Sequence, residues 1–425
     1  MNRTRPSRSD ALVLAGVVLV AINLRPAAAS IGPLIVRIEH DTGLASGWAS
    51  ALTTLPVLCF GLLAPLAPVF AKRFGVRSSI AAAMVALLAG IAMRLLPGVA
   101  FLFLGTAIAG SAIATGNVLL PVLVRRDLHG RTATAMAFYS TALIGFAALA
   151  AGITVPLADA LGGGWKGGLG IWAVPAAVGA LAWSPWLWRR DRDIESASAP
   201  GVVAAARERV PVRALLVRPL AWQVTLFFAL QSGGFYATLA WLPSIYESHG
   251  AGQARAGLLL SLTMVVGLVT AVTVPGLAHR FADQRALMAA SCVLTAAGLA
   301  GVLLAPMSVP YLWTALLGLG QNAAFPLALM LIVGRAGDVP HTEALSTMTQ
   351  SIGYVLGALG PLAVGAIHGA TGSWTPSLIL LLVIVAPQLV LGLAASRDRV
   401  LAPRGGAGAE LEPLPGAGQN AASVT

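Results

Sequence analysis

Near the start of the chain, the residues best suited to chemistry are Asn23-Leu24-Arg25-Pro26, set inside an apolar run from Ala11 to Val36. As a helix, that run places Arg25 about 21 Å from one end and about 17 Å from the other, near the centre of a bilayer core. A central Arg costs about 2.5 to 3.5 kcal/mol on translocon scales, so it is normally turned toward protein or a water-filled path and given a partner. The guanidinium is a planar fork of donors that fits a carboxylate, a nitro group or a similar flat anion. Asn23 and Arg25 are two residues apart, so a regular helix points them about 200° from each other. Pro26 offers a distortion that serves both, because it lacks an N–H and frees the carbonyl of Ile22.

What must position these groups follows from composition. Of 425 residues, 57% are hydrophobic and only 10% charged, which excludes an ordinary soluble protein. Apolar runs near 11–36, 44–70, 78–98, 100–124, 132–157, 169–188, 220–245, 256–278, 286–306, 310–334, 343–367 and 374–396 are separated by short charged or Pro/Gly-rich loops. They predict twelve transmembrane helices of an all-α polytopic membrane protein, with the lipid bilayer as its surroundings. The net charge of +11 is distributed by loop: 22 of the 27 Lys and Arg fall on the side of the termini and four on the other. That asymmetry predicts both termini in the cytoplasm and a multi-pass protein of the plasma (inner) membrane. It accounts for the basic balance without nucleic acid, for which a basic stripe with interleaved aromatics is missing.

Internal repetition sets the domain organisation. Pro68 to Gly75 after span 2 resembles Pro275 to Ala282 after span 8, and Asn117-x-x-x-Pro121 in span 4 matches Asn322-x-x-x-Pro326 in span 10. The expected units are a six-helix bundle at 1–188, a cytoplasmic linker at 189–218, a second six-helix bundle at 219–398 and a disordered cytoplasmic tail at 399–425. The start of the chain imitates a secretory signal with Ala27-Ala28-Ala29-Ser30 as a cleavage site, but the repeat needs span 1, so it is kept as a helix. Trp186, Trp188 and Trp222 at one interface and Trp48, Trp165, Trp241 and Trp374 at the other are expected to form aromatic belts.

Twelve helices in two parallel halves resemble the major facilitator superfamily of secondary transporters. In the loop after span 2, Arg73, Gly75 and Arg77 fit that superfamily's Gly-x-x-x-Asp-Arg-x-Gly-Arg-Arg motif, whereas Lys72 stands where the Asp belongs, so its charge relay is not carried over. The chain is similar, more closely, to the cyanate and 2-nitroimidazole transporter branch. That likeness rests on Asn23-Leu24-Arg25-Pro26, Ser30-Ile31-Gly32-Pro33-Leu34, Leu55-Pro56-Val57, Ala240-Trp241-Leu242-Pro243 and Gly318 to Pro326, and it runs from span 1 to about span 11. It implies transport of small, flat, polar or anionic molecules, with spans 1, 4, 7 and 10 lining a central cavity.

The mid-span polar residues independently concentrate in those spans. Asn23 and Arg25 lie in span 1, Asn117 in span 4, Gln231 and Tyr236 in span 7, and Gln321 and Asn322 in span 10; Tyr139 in span 5 and Gln350 and Tyr354 in span 11 complete the expected substrate-binding set. A structural role competes at each position. Arg25 can lock two helices, Asn117 and Asn322 can satisfy the carbonyl that a nearby Pro frees, and Gln231 and Tyr236 can bond between helices. Arg94, near the end of span 3, is read as a structural residue able to snorkel.

No Asp or Glu stands at mid-depth in any span, so Arg25 has no counter-ion there and a bound anion is its simplest neutraliser. Cys59 and Cys292 read as small hydrophobes, and no His, Cys, Asp or Glu cluster has ligand spacing. The expectation is therefore no metal, no cofactor, no catalytic residue and no enzyme. It is a monomeric secondary active or facilitated transporter of a small planar anion or weakly acidic solute, working by alternating access around a midplane site. Efflux of a toxic heterocycle by the same fold is the alternative; a membrane-embedded enzyme and a channel are the readings from other classes.

Overall fold

A computed structural model describes residues 8–128, 131–187, 210–280, 284–397 and 399–401. Most of the expected linker, 189–209, and of the expected tail, 402–425, lies outside the described residues. Span 1 is broken twice, into α1 (Arg8–Ala21), α2 (Pro26–Ala29) and α3 (Ile35–Thr42), with a 3₁₀ turn at Gly32–Leu34 before α3. The first break is the work of Pro26, which starts α2 where its missing N–H costs nothing. Just before it the chain tightens, Asn23 N–H reaching Val20 O at 2.9 Å and Leu24 N–H reaching Ala21 O at 3.2 Å.

The first half continues with α4 (Ser46–Leu63) and α5 (Ala67–Phe74) as span 2, α6 (Val76–Met93), α7 (Val99–Asp127) and α8 (Thr132–Ala160) as spans 3 to 5, and α9 (Gly164–Gly170) with α10 (Ala173–Trp183) as span 6. The second half has α11 (Pro219–Ser248), α12 (Gln253–Arg280), α13 (Arg285–Leu304) and α14 (Pro310–Ala336) as spans 7 to 10. Span 11 is divided into α15 (Val339–Gly357) and α16 (Leu359–Thr371), and α17 (Thr375–Ala395) is span 12. Pro121 and Pro326 lie at matching places inside α7 and α14, as the repeat requires.

Among the described residues, 11 stretches are by length and composition able to cross a membrane. The remaining span is α11, whose Gln, Ser, Tyr and Pro dilute its hydropathy; it buries 21 of its 30 residues and so faces protein rather than lipid. Trp241 in this helix is 1% exposed and donates Nε1–H to Pro361 O at 3.0 Å. It belongs to the interior, not to the expected interfacial belt, because a buried indole N–H needs an acceptor and finds one in span 11. Trp165 and Trp374 are likewise buried, and Trp48 alone of that expected outer group is well exposed.

The degenerate loop motif still holds a charge cluster. Arg77 reaches Asp127 at 2.7 Å, Arg126 reaches the same carboxylate at 2.6 Å, and Arg77 stacks over Trp186 at 4.4 Å, so spans 3, 4 and 6 are tied at one face. The Asp comes from the end of span 4, 50 residues away, where a motif search in the loop does not look. In the second half Arg335 caps the end of span 12 through Ala395 O at 2.9 Å and Ser396 O at 3.1 Å. Leu401, 2% exposed, packs back on that end, three residues beyond the expected boundary at 398.

The halves meet along α8 against α12, α4 against α15 and α16, and the 3₁₀ turn of span 1 against α11. At the last contact a Cβ on Gly32 would lie 2.4 Å from Leu239 O, so only glycine lets the backbones of spans 1 and 7 approach this closely. Five residues on, at the end of the bundle away from the termini, Arg37 of α3 donates Nε–H to Gln253 at 2.6 Å and Nη1–H to Asp159 at 2.6 Å. Spans 1, 5 and 8 are thereby pinned together across the seam. Gly32→Val is expected to wedge this seam apart at a cost of about 1–3 kcal/mol. The check is a lower midpoint in thermal size-exclusion of the detergent-solubilised protein, with Gly47→Val, where a Cβ meets nothing within 4 Å, as the control; equal midpoints would refute the close contact.

Candidate functional site

Arg25 lies in the first break of span 1, immediately before α2. Its neighbours in sequence are turned elsewhere: Leu24 packs into span 4, where a Cβ on Gly116 would come 2.6 Å from it. The guanidinium faces three tyrosines, Tyr236 from span 7 within hydrogen-bonding reach, Tyr354 from span 11 and Tyr139 from span 5. Its Nε is buried and has no hydrogen-bond partner among the described residues. Among the described residues no carboxylate joins the three tyrosines beside the cation.

The ring is deepened by phenylalanines. Phe60 of α4 packs at 5.8 Å from Tyr354 and 6.2 Å from Tyr236, while Tyr236 and Tyr354 lie 6.3 Å apart. Phe228 meets Tyr354 edge-on at 5.0 Å, and Phe235 meets Tyr236 edge-on at 5.2 Å. Such offsets are the favoured aromatic geometries, so the ring positions support one another without a polar scaffold. Arg25, Tyr139 and Phe60 belong to the first half; Tyr236, Tyr354, Phe228 and Phe235 belong to the second. Any relative motion of the halves therefore changes what the guanidinium touches.

The structure sorts the expected polar set into separate places. Asn117 joins the ring at second hand, accepting from the Tyr139 hydroxyl at 3.3 Å. Asn23 does not join it. Although Pro26 breaks span 1 as expected, the break leaves Asn23 3% exposed on the far side, donating to Leu19 O at 2.8 Å, with Gly179 of span 6 against its amide. The carbonyl of Leu19 is the one that the tightened turn leaves open, and the amide supplies its donor.

Gln231 and Gln321 lie on another face of α11 and α14, in a cavity of about 10 Å³ within the second half that Thr295 and Gln388 also line. Gln231 donates to Ser232 Oγ at 2.8 Å and Gln321 to Thr238 Oγ1 at 3.0 Å. Five residues separate Gln231 from Tyr236, about 140° around a helix, which is why one depth in the membrane does not mean one pocket. Asn322 donates to Thr263 O at 3.0 Å and Gly318 O at 2.8 Å, stitching span 10 to span 8. Gln350 bonds Ser346 Oγ one turn back at 2.8 Å.

The residues that sequence reasoning missed are Phe60, Phe228 and Phe235, which look like any apolar residue of a membrane span, and Gln388, whose polar side chain in span 12 was a readable signal. Chemically, the ring offers one fixed positive charge, hydroxyl donors and flat apolar walls. That combination suits a single anionic or strongly polar group on a planar body.

Comparison with known proteins agrees with this architecture. Residues 17–361 match the family model of the Major Facilitator Superfamily. The chain is 36% identical over 389 residues to the 2-nitroimidazole transporter of Escherichia coli (strain K12), covering 91% of this chain and 96% of that protein. It is 31% identical over 359 residues to the cyanate transport protein CynX of the same organism, covering 84% and 90%. Among solved structures, a bacterial homologue of the human lysosomal transporter Spinster, in an inward-facing and occupied conformation, aligns with TM-score 0.74 at 13% identity, covering 92% of this chain and 98% of that one. With the model spanning most of the chain and full-length relatives above 30% identity, this protein is a membrane transporter, not an enzyme, and belongs to the major facilitator superfamily, in the branch of the 2-nitroimidazole and cyanate transporters.

Proposed function

We propose that this chain carries a small planar anion or weakly acidic solute across the plasma (inner) membrane by alternating access, with Arg25 as the group that recognises its negative or nitro-like end. The observation that carries the reading is the Arg25 guanidinium itself, at the junction of the two halves, ringed by Tyr139, Tyr236 and Tyr354 and unaccompanied by an acid among the described residues. A guanidinium at membrane depth without a counter-ion is costly, and a bound anion removes that cost while the solute crosses. The names of the two relatives, which concern cyanate and 2-nitroimidazole, fit the same chemistry: small, flat and polar or anionic. The Lys and Arg distribution, 22 against four, supports cytoplasmic termini. The chain supplies both halves of its own pseudo-twofold, so a monomer suffices.

Alternating access then needs only the seam. With Arg37 bonded to Gln253 and Asp159, and Gly32 pressed on Leu239, the ring is closed off from the end of the bundle away from the termini. Rocking the halves open there withdraws Tyr236 and Tyr354 from Arg25 and offers the guanidinium to solvent.

Purified protein in liposomes, given cyanate, nitrate, short carboxylates and 2-nitroimidazole with and without a proton gradient, is expected to show saturable flux for at least one of them. Flux for none would end the anion reading. Arg25→Ala is expected to lower the uptake efficiency for that solute by about 10- to 100-fold, the worth of a charge-assisted bond, with Arg25→Lys in between because it keeps the charge and loses the fork. Tyr236→Phe is expected to raise KM by about 2- to 10-fold, the worth of one hydroxyl bond, whereas Asn322→Ala should lower thermal stability and leave KM within about twofold. A KM shift in Asn322→Ala larger than in Tyr236→Phe would reverse that assignment.

A further inference from the structure

Span 3 ends in a second arginine that the anion ring does not use. Arg94, the residue after α6, is 1% exposed. The sequence suggested a side chain that snorkels to the interface; instead it is turned fully inward. Its Nη1–H donates to Ala27 O at 2.6 Å, while Nε and Nη2 are buried without a partner among the described residues. Span 4 holds it in place, for a Cβ on Gly105 would lie 2.9 Å from the Arg94 nitrogen and 3.0 Å from its Cγ.

The acceptor is informative. Ala27 lies in α2, the four-residue piece of span 1 that begins directly after Arg25. So short a helix cannot satisfy its own terminal carbonyls, and between the breaks at Pro26 and Gly32 it has little backbone support of its own. Arg94 supplies a donor from another helix at just this point. A neutral donor would cap a carbonyl as well, so a buried charge, with no acid beside it, calls for a further reason.

We propose that Arg94 is a positioning residue for the anion site: it holds α2, and with it Arg25, in place, and its unneutralised charge adds to the positive potential that favours an anion in the ring. The inference rests on the reading of Arg25 as the anion-recognising group. Ala27 is two residues from Arg25 in the same broken segment, and at the dielectric of a protein interior a second unneutralised cation is expected to strengthen anion binding at the ring by up to about tenfold.

The test uses the full chain in liposomes with Arg94→Lys, Arg94→Gln and Arg94→Met, read with whichever of cyanate, nitrate and 2-nitroimidazole the parent protein transports. Arg94→Gln keeps a donor and loses the charge, and is expected to raise KM about tenfold with kcat within about threefold of the parent; Arg94→Lys is expected to restore KM to within about threefold. A KM unchanged in Arg94→Gln, or a fall in kcat alone, overturns the role of the charge. Backbone hydrogen exchange of the peptide spanning residues 21–34 reads the tether without any substrate. Arg94→Met is expected to speed it about tenfold and Arg94→Lys to leave it as in the parent, and equal rates in Arg94→Met and the parent overturn the tether. Should Arg94→Met fail to fold, Arg94→Ala, which also lacks a donor, gives the exchange readout, and Arg94→Gln with Arg94→Lys still gives the transport readout. If Arg25→Ala transports as well as the parent while Arg94→Met still speeds exchange, it is the anion-site reading that falls, and the tether stands.

Discussion

One positive charge inside an apolar bundle governs this molecule. Arg25 lies in the depth of an apolar bundle with no carboxylate to meet it among the described residues, and the surrounding structure is arranged around that fact. A guanidinium cannot lose its proton to escape the cost, so it must be turned to a place where hydroxyls can meet it. Span 1 pays with its continuity, breaking at Pro26 and again before the Gly32–Leu34 turn. The broken segment is then secured from outside, by Arg94 on Ala27 O and by the close approach of Gly32 to span 7.

Placing the charge at the seam of two halves makes its surroundings depend on how the halves sit. Tyr139 shares the half of Arg25, whereas Tyr236 and Tyr354 do not, so all three face the guanidinium only when the halves are together. The contacts that hold them together are of a reversible kind: backbone packed on backbone at glycine, and a partly exposed polar group of Arg37, Gln253 and Asp159. Exposed ion pairs contribute little net stability, so such a latch fixes geometry without making separation prohibitive. The aromatic ring is suited to the same purpose, since edge-on contacts can be made and remade without leaving a buried hydrogen bond unsatisfied.

Membrane depth and membrane face are different coordinates, and the polar residues of this chain separate them. Arg25, Tyr139, Tyr236 and Tyr354 share both, while Gln231 and Gln321 share the depth and face into the second half. Asn322, one turn before Pro326, serves the carbonyls of Thr263 and Gly318, a structural use of an amide that its repeat partner Asn117 does not copy. The pseudo-symmetry therefore extends to the backbone and its prolines but not to the hydrogen bonds, and only the first half supplies a cation to the ring.

Much of this was legible in the residues themselves. Hydropathy marks twelve spans, the two offset matches mark two halves, and Arg25 with Pro26 marks a costly charge at a helix break, because each of these is local in the chain and set by transfer cost or backbone chemistry. The aromatic walls were not legible, since Phe60, Phe228 and Phe235 are unremarkable in an apolar span until another helix brings a tyrosine to them. Nor was the direction of Asn23: a break permits rotation, but the open carbonyl of Leu19 and the space beside Gly179 decide it. For Arg94 the sequence indicates a structural residue able to snorkel, because it gives the depth of the side chain and not the acceptor waiting in span 1. The sequence by itself determined that a positive charge would be buried in a two-fold helical bundle. The tertiary structure decided which groups meet that charge, because side-chain direction depends on helix rotation and packing, which no single span specifies.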